Sequence, residues 1–198
     1  NDAAFSKVRV LVRKSFPLEH PKLETVFVNF ADHNDFSEKT GKADCLFCCI
    51  GTTQKKVKGD KTAYRKVDYD IPVQAAGIAT AAGFKKYMLV SAIGADAGSS
   101  NFYLKLKGEV ERDINAIQFE SIHIFQPSIL LGHRTEFRIG ELVGKGLMQV
   151  FSFMLTGSYS KYKPVQASDV AKAMIAASKN NTTGVHIYRY DEIKKLIC

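Results

Sequence analysis

Tyr103 and Lys107 stand four positions apart, a short loop's length after Ser91. If the segment from about Asn101 onward is a helix, that spacing sets the phenol and the ammonium one turn apart on one face. An ammonium beside a phenol favours the phenolate, which makes a tyrosine a better proton donor and acceptor near neutral pH. A nearby serine hydroxyl can hydrogen-bond the same substrate oxygen. Such a set suits proton transfer to or from a carbonyl or alcohol while a hydride moves elsewhere. The spacing alone also fits a solvated helix face with an aromatic spacer, so the surrounding elements have to decide.

Those elements alternate. Lys7–Arg13, Leu23–Val28, Asp44–Ile50, Tyr87–Val90, Glu120–Phe125 and Gly184–Tyr188 read as short strands rich in β-branched or apolar residues. Between them, His33–Lys42, Thr62–Ala82, Tyr103–Ile117, Gly140–Leu155 and Ser168–Ser178 read as helices. Pro72 is a cost within the second of these and a kink point. Gly83 ends that helix as a C-cap, and Ser168 opens the last as its N-cap. Alternation of this kind predicts an α/β fold, a parallel sheet covered by helices on both faces. Ligands of such sheets bind beyond the carboxyl ends of the strands. Arg13-Lys14, Gly51-Thr52-Thr53, Ser91 and Pro127-Ser128 all fall at predicted strand ends, and Tyr103 and Lys107 follow the Ser91 strand. The candidates therefore converge on one edge.

A length of 198 residues, with 45% apolar and 24% charged residues, predicts a single globular domain with a sizeable core. No apolar run reaches the length of a membrane span, and no signal peptide is visible. Cys45 and Cys48 have C-x-x-C spacing, but a zinc site needs a second ligand pair and none stands at suitable spacing. The segment is continuously apolar, so its cysteines read as small core residues. No metal site is expected, and reduced thiols predict a cytoplasmic protein. His123 lies inside a strand and reads as a packed side chain. The net charge of +8 attracts anions. Its densest run, Gln54–Lys61, lacks interleaved aromatics or a nucleic-acid motif and reads as a solvated loop that helps draw in an anionic cofactor.

Several segments together resemble a known family. Cys48-Cys-Ile-Gly-Thr-Thr53, Val67-Asp-Tyr-Asp70, Ser91-Ala-Ile-Gly-Ala-Asp96, Ser99-Ser-Asn-Phe-Tyr103, Lys107-Gly-Glu-Val-Glu111 and Gln126-Pro-Ser-Ile-Leu-Leu131 occur in family order across most of the chain. They resemble the short-chain dehydrogenase/reductase superfamily in its atypical or extended form, and within it the Tat-interactive-protein-like oxidoreductases. The family pattern has an arginine where this chain has Gln126. The opening strand, G-x-x-G-x-x-G turn and helix of that family have no counterpart in the sequence, so the expectation is an N-terminally incomplete, doubly wound, Rossmann-like domain with a small substrate-side region around residues 131–165. That turn is where a pyrophosphate would be held.

The resemblance implies roles. Tyr103 is the general acid or base, and Lys107 eases ionisation of the phenol and hydrogen-bonds the nicotinamide ribose. Ser91 orients the substrate carbonyl, with Ser99 or Ser100 as alternatives. Gly51, Thr52 and Thr53 line the adenine-ribose side, and Pro127, Ser128 and Ile129 flank the nicotinamide. Arg13 and Lys14 follow the second family strand, where cations suit the extra phosphate of NADP. Two functions stay open: an NADP-dependent oxidoreductase acting on a small carbonyl or alcohol, and an NADP(H)-binding regulator that reports to a protein partner without turnover. The retained Tyr103/Lys107 pair favours the first. A nucleic-acid binder rests on charge alone, and its signature would be steep salt dependence.

Overall fold

In the computed structural model, residues 2–15, 17–132 and 157–198 are described. The expected helix at 140–155 lies outside them. The strands are parallel and fall into three sheets. Strand β1 (Val8–Val12) pairs with β2 (Leu23–Phe27). The main sheet has the order β3 (Cys45–Cys48), β4 (Lys86–Val90), β5 (Ser121–Phe125) and β8 (Gly184–Tyr188). The short strands β6 (Leu130–Leu131) and β7 (Val165–Gln166) pair beside it. Among the described residues β1 pairs only with β2 and β3 only with β4, so one edge of each carries no ladder partner.

Both faces of the main sheet are covered, which explains why its central strands carry apolar residues on both faces. Strand β5 is buried at every position. On one face Tyr87, Leu89, Ile122 and Ile124 meet Ala76 of helix α3 (Ile71–Ala81) and Val110 and Ile114 of α4 (Phe102–Asn115). On the other, Met88 and Phe125 meet Val170, Ala173, Met174 and Ala177 of α5 (Ala167–Lys179) and Ile193 of α6 (Tyr190–Lys195). Leu11 and Val26 of the two-stranded sheet join Ile71, Ala75 and Ile78 of α3 and Phe36 of α1 (His33–Thr40) in a third cluster that includes Leu46 and Ile50.

The expected helix at Thr62–Ala82 is three segments. Helix α2 (Lys61–Arg65), capped by Asp60, runs into a π-helical turn at Lys66–Asp70, and α3 follows with Pro72 in its first turn. Proline lacks an N–H and its ring crowds the carbonyl four residues back, here that of Asp68. A π turn widens the ladder at that point, and such bulges often carry functional side chains. Gly83, with φ of 85°, follows the helix end in the left-handed conformation. Helix α5 starts one residue before Ser168. Its N-cap is Gln166, whose side chain makes no capping hydrogen bond, because β7 feeds directly into the helix.

Cys45 packs in the cluster under α5 and Cys48 in the cluster under α4. Three positions along a strand put side chains on opposite faces, so these thiols cannot share one ion. Burial pushes the Cys45 thiol up to about 12 and raises Cys48 as well, as suits core packing. The lysine-rich segment after β3 is a turn with Lys55, Lys56 and Lys58 exposed.

Candidate functional site

Helix α4 supplies the centre of the site. Asn101 caps it, its side-chain oxygen accepting from the backbone N–H of Tyr103 at 3.0 Å and of Leu104 at 3.1 Å. Tyr103, Lys107 and Glu111 then recur at intervals of four, one stripe along the helix. Val110 and Ile114 anchor the neighbouring stripe in the core. Gly108 permits a close approach that fixes the helix against the loop after β4. A Cβ there would lie 2.1 Å from the Ala97 nitrogen and 2.2 Å from the Asp96 carbonyl carbon. The Asp96 N–H donates to the Leu104 carbonyl at 3.1 Å across the same contact.

Lys107 is buried, its side chain only 7% exposed, and its Nζ lies 3.1 Å from Asp68 Oδ1. The Lys107 ammonium is also 5.9 Å from the centre of the Tyr103 ring. Asp68, placed by the π turn, accepts from the Thr52 N–H with its other oxygen at 2.7 Å. Tyr64 Oη donates to the Thr52 carbonyl at 3.2 Å. The loop expected to line the cofactor is thus joined to the expected catalytic lysine through one carboxylate. Asp68 also offsets part of the Lys107 charge at the phenol.

Ser91 follows β4, its N–H donating to the Phe125 carbonyl at 2.7 Å. Its hydroxyl donates to Glu111 Oε1 within the interior. Gln126, at the end of β5, donates its amide to both Glu111 oxygens at 3.0 Å and accepts from Arg189 Nε at 3.2 Å. Desolvation raises the Glu111 carboxyl above its ordinary value, and hydrogen bonds from Ser91 and Gln126, then the Lys107 and Arg189 charges, pull the other way.

The structure therefore brings Ser91, Tyr103, Lys107 and the Thr52 loop to the carboxyl ends of β3, β4 and β5. Pro127 is there too, its carbonyl accepting from the Ile93 N–H at 3.0 Å. Ser128 donates to the Tyr162 and Lys163 carbonyls at 3.0 and 2.6 Å, and the Ile129 carbonyl accepts from Val165 at 2.9 Å. Ser100 is exposed, and Ser99 Oγ accepts from the Asn101 N–H at 3.2 Å. Gly51 is exposed at the end of the β3 segment. Arg13 and Lys14 are exposed at the carboxyl end of β1, in the other sheet. Sequence reasoning missed Asp68, Glu111 and Arg189. Pro72, four residues after Asp68, was the signal for the first. Glu111, four residues after Lys107, looks from spacing like an ordinary surface ion pair.

No family model matches the chain. Protein HTATIP2 of Rattus norvegicus is 33% identical over 174 residues, covering 86% of this chain and 69% of its own length. Two mitochondrial FMP52 proteins are each 32% identical over 98% of this chain: that of Eremothecium gossypii, covered over 87% of its length, and that of Kluyveromyces lactis, over 88%. These relatives overturn the expectation of a cytoplasmic protein, since free thiols report a reducing environment and not which compartment supplies it. Among solved structures, MoeE5 in complex with UDP-glucuronic acid and NAD has a TM-score of 0.70 at 12% identity, covering 94% of this chain and 69% of its own. WbmH of Bordetella bronchiseptica in complex with NAD+ has a TM-score of 0.69 at 15% identity, with 96% and 70% covered. No helix among the described residues is long and apolar enough to cross a membrane. The parallel sheet covered on both faces and relatives above 30% identity over most of both chains lead to one conclusion: the chain belongs to the HTATIP2/FMP52 family of Tat-interactive-protein-like proteins with the short-chain dehydrogenase/reductase fold.

Proposed function

We propose that the protein is an NADP-dependent oxidoreductase that interconverts a small carbonyl compound and its alcohol. The observation that carries this reading is the α4 stripe, where Tyr103 and a buried Lys107 stand side by side and Asp68 ties the lysine to the Thr52 loop. A structural helix face has no need of a buried lysine, which is costly unless paired.

The residues present suit the nicotinamide-ribose half of the dinucleotide. Lys107 has three N–H donors, and one ion-pair partner leaves donors for ribose hydroxyls. Gly51 offers exposed backbone after β3 on the adenine-ribose side, and Pro127 is buried just after β5. Arg13 and Lys14 supply cations suited to a 2′-phosphate, arginine through bidentate hydrogen bonds. NADPH, when bound, supplies the hydride. Tyr103 Oη passes the proton to the substrate oxygen, or takes it back in the reverse direction. Lys107 holds the phenol's electrostatic surroundings and the ribose together, and Asp68 keeps Lys107 in place. The NAD-bound state of the structural neighbours agrees with a dinucleotide site, and the choice between NAD and NADP rests here on Arg13 and Lys14.

Nucleotide titration tests the reading. The protein binds NADPH at least several-fold more tightly than NADH, consistent with one or two charge-assisted hydrogen bonds of about 1.5–3 kcal/mol each. Arg13→Ala reduces that preference. Equal affinities in the wild type, or an unchanged preference in Arg13→Ala, would refute the NADP assignment.

A further inference from the structure

Ser91, Glu111, Gln126 and Arg189 form a hydrogen-bonded chain across four parts of the fold: the end of β4, helix α4, the end of β5 and the residue between β8 and α6. With Glu111 ionised, its protons have only one consistent arrangement. A guanidinium donates and never accepts, so Arg189 Nε must donate to Gln126, and the atom receiving that bond must be the amide oxygen. The Gln126 amide nitrogen is then turned to Glu111, where it donates to both carboxylate oxygens. Ser91 reaches Glu111 Oε1 from the other side. An ionised carboxylate only accepts, so the Ser91 proton belongs to Glu111.

We propose that Glu111 is a positioning residue that sets the hydrogen-bond polarity of Ser91: while Glu111 is ionised, Ser91 can meet a ligand only as an acceptor. A group that bonds Ser91 must then itself be a donor, a hydroxyl or an N–H, and a bare carbonyl finds no proton there. In the oxidoreductase reading, on which this step rests, Ser91 selects the alcohol partner of the reaction and leaves the carbonyl to Tyr103. Protonation of Glu111 reverses the polarity, because the acid can donate to Ser91 Oγ and free the serine proton for a carbonyl.

The charges around Glu111 make that reversal accessible. From its own helix Lys107 faces it, and Lys107 is paired with Asp68. From the segment after β8 comes Arg189, one amide removed. From the ends of β4 and β5, among the described residues, come only the neutral Ser91 and Gln126. Among the described residues no cation bonds Glu111 directly, and its burial at 8% exposure favours the neutral acid.

Infrared difference spectroscopy across pH reads the Glu111 carboxylic-acid C=O band, assigned by its loss in Glu111→Gln. In Ser91→Ala the carboxylate loses a donor, so the midpoint of that band moves up by about one to two pH units, the worth of one hydrogen bond to a charged group. Ser91→Thr, which keeps the hydroxyl, restores the wild-type midpoint. Should Ser91→Ala fail to fold, Ser91→Cys gives the same comparison with a weaker donor and a smaller upward shift. A midpoint unmoved in the hydroxyl-deleted variant, or no acid band in either protein down to about pH 4, would overturn the proposal. None of these readouts needs nucleotide or turnover. A protein that shows the shift yet binds no NADPH keeps the Ser91 polarity and loses the oxidoreductase reading. NADPH binding without the shift does the reverse.

Discussion

Asp68→Asn removes one charge from the centre of the site with almost no change of shape. Asp68 is 1% exposed, accepts from the Thr52 N–H at 2.7 Å and is ion-paired with the Lys107 ammonium at 3.1 Å. An asparagine oxygen still accepts from Thr52, but its NH₂ then faces an ammonium, donor against donor. The loss falls on Lys107, left as a buried charge without a counterion. Breaking one side of a buried pair costs about 3–5 kcal/mol. The expected destabilisation is therefore about 3–5 kcal/mol. Urea unfolding measures it. Asp68→Asn/Lys107→Met, which removes both charges, recovers most of the stability. A single-variant loss below about 1 kcal/mol, typical of surface pairs, or no recovery in the double variant, would refute the buried-pair argument.

Two further outcomes follow from packing and burial. Gly108→Ala places a methyl group against the Asp96–Ala97 backbone and costs at least about 2 kcal/mol in urea unfolding, since backbone cannot yield as a side-chain tip can; a loss under about 0.5 kcal/mol would contradict the close approach. His123 is fully buried between Tyr188 Oη and Ser121 Oγ, and desolvation first, then the His186 and Lys86 charges, lowers it from 6.5 to about 4. The folded state resists protonation, so His123 contributes stability that is fully present above pH 6.5 and lost as pH falls towards 4. About 3 kcal/mol disappears over that window. His123→Gln flattens this part of the pH–stability curve, and a curve of unchanged slope would show that the histidine does not carry it.

The fold was legible because its signals are redundant. Strands such as Tyr87–Val90 are apolar on both faces and Glu120–Phe125 carries Ile122 and Ile124 on one face and Phe125 on the other, helices separate them, and this pattern admits few arrangements other than a covered parallel sheet. Tyr103 and Lys107 were legible as neighbours from spacing alone, since a helix fixes which residues share a turn. What holds them was not. Asp68 is brought to Lys107 by a π turn, and Pro72 marked only a disturbed ladder, not the direction in which a side chain would be turned. Glu111 illustrates the opposite failure. Spacing pairs it with Lys107, but burial separates their partners, giving Asp68 to the lysine and Ser91 with Gln126 to the glutamate. Partner choice inside a protein depends on elements distant in sequence, as the Arg189–Gln126 bond shows across 63 positions.

Comparing wild type with Tyr103→Phe tests the central claim most directly. The variant keeps the ring and removes only the proton carrier. A panel of aldehydes, ketones and quinones is screened with NADPH for a substrate, and nucleotide affinity is measured by titration in parallel. The account predicts NADPH binding nearly unchanged and turnover lower by about 10²–10⁴ in Tyr103→Phe, the range for general acid–base catalysis. Full turnover in the variant on a substrate that the wild type reduces would contradict it.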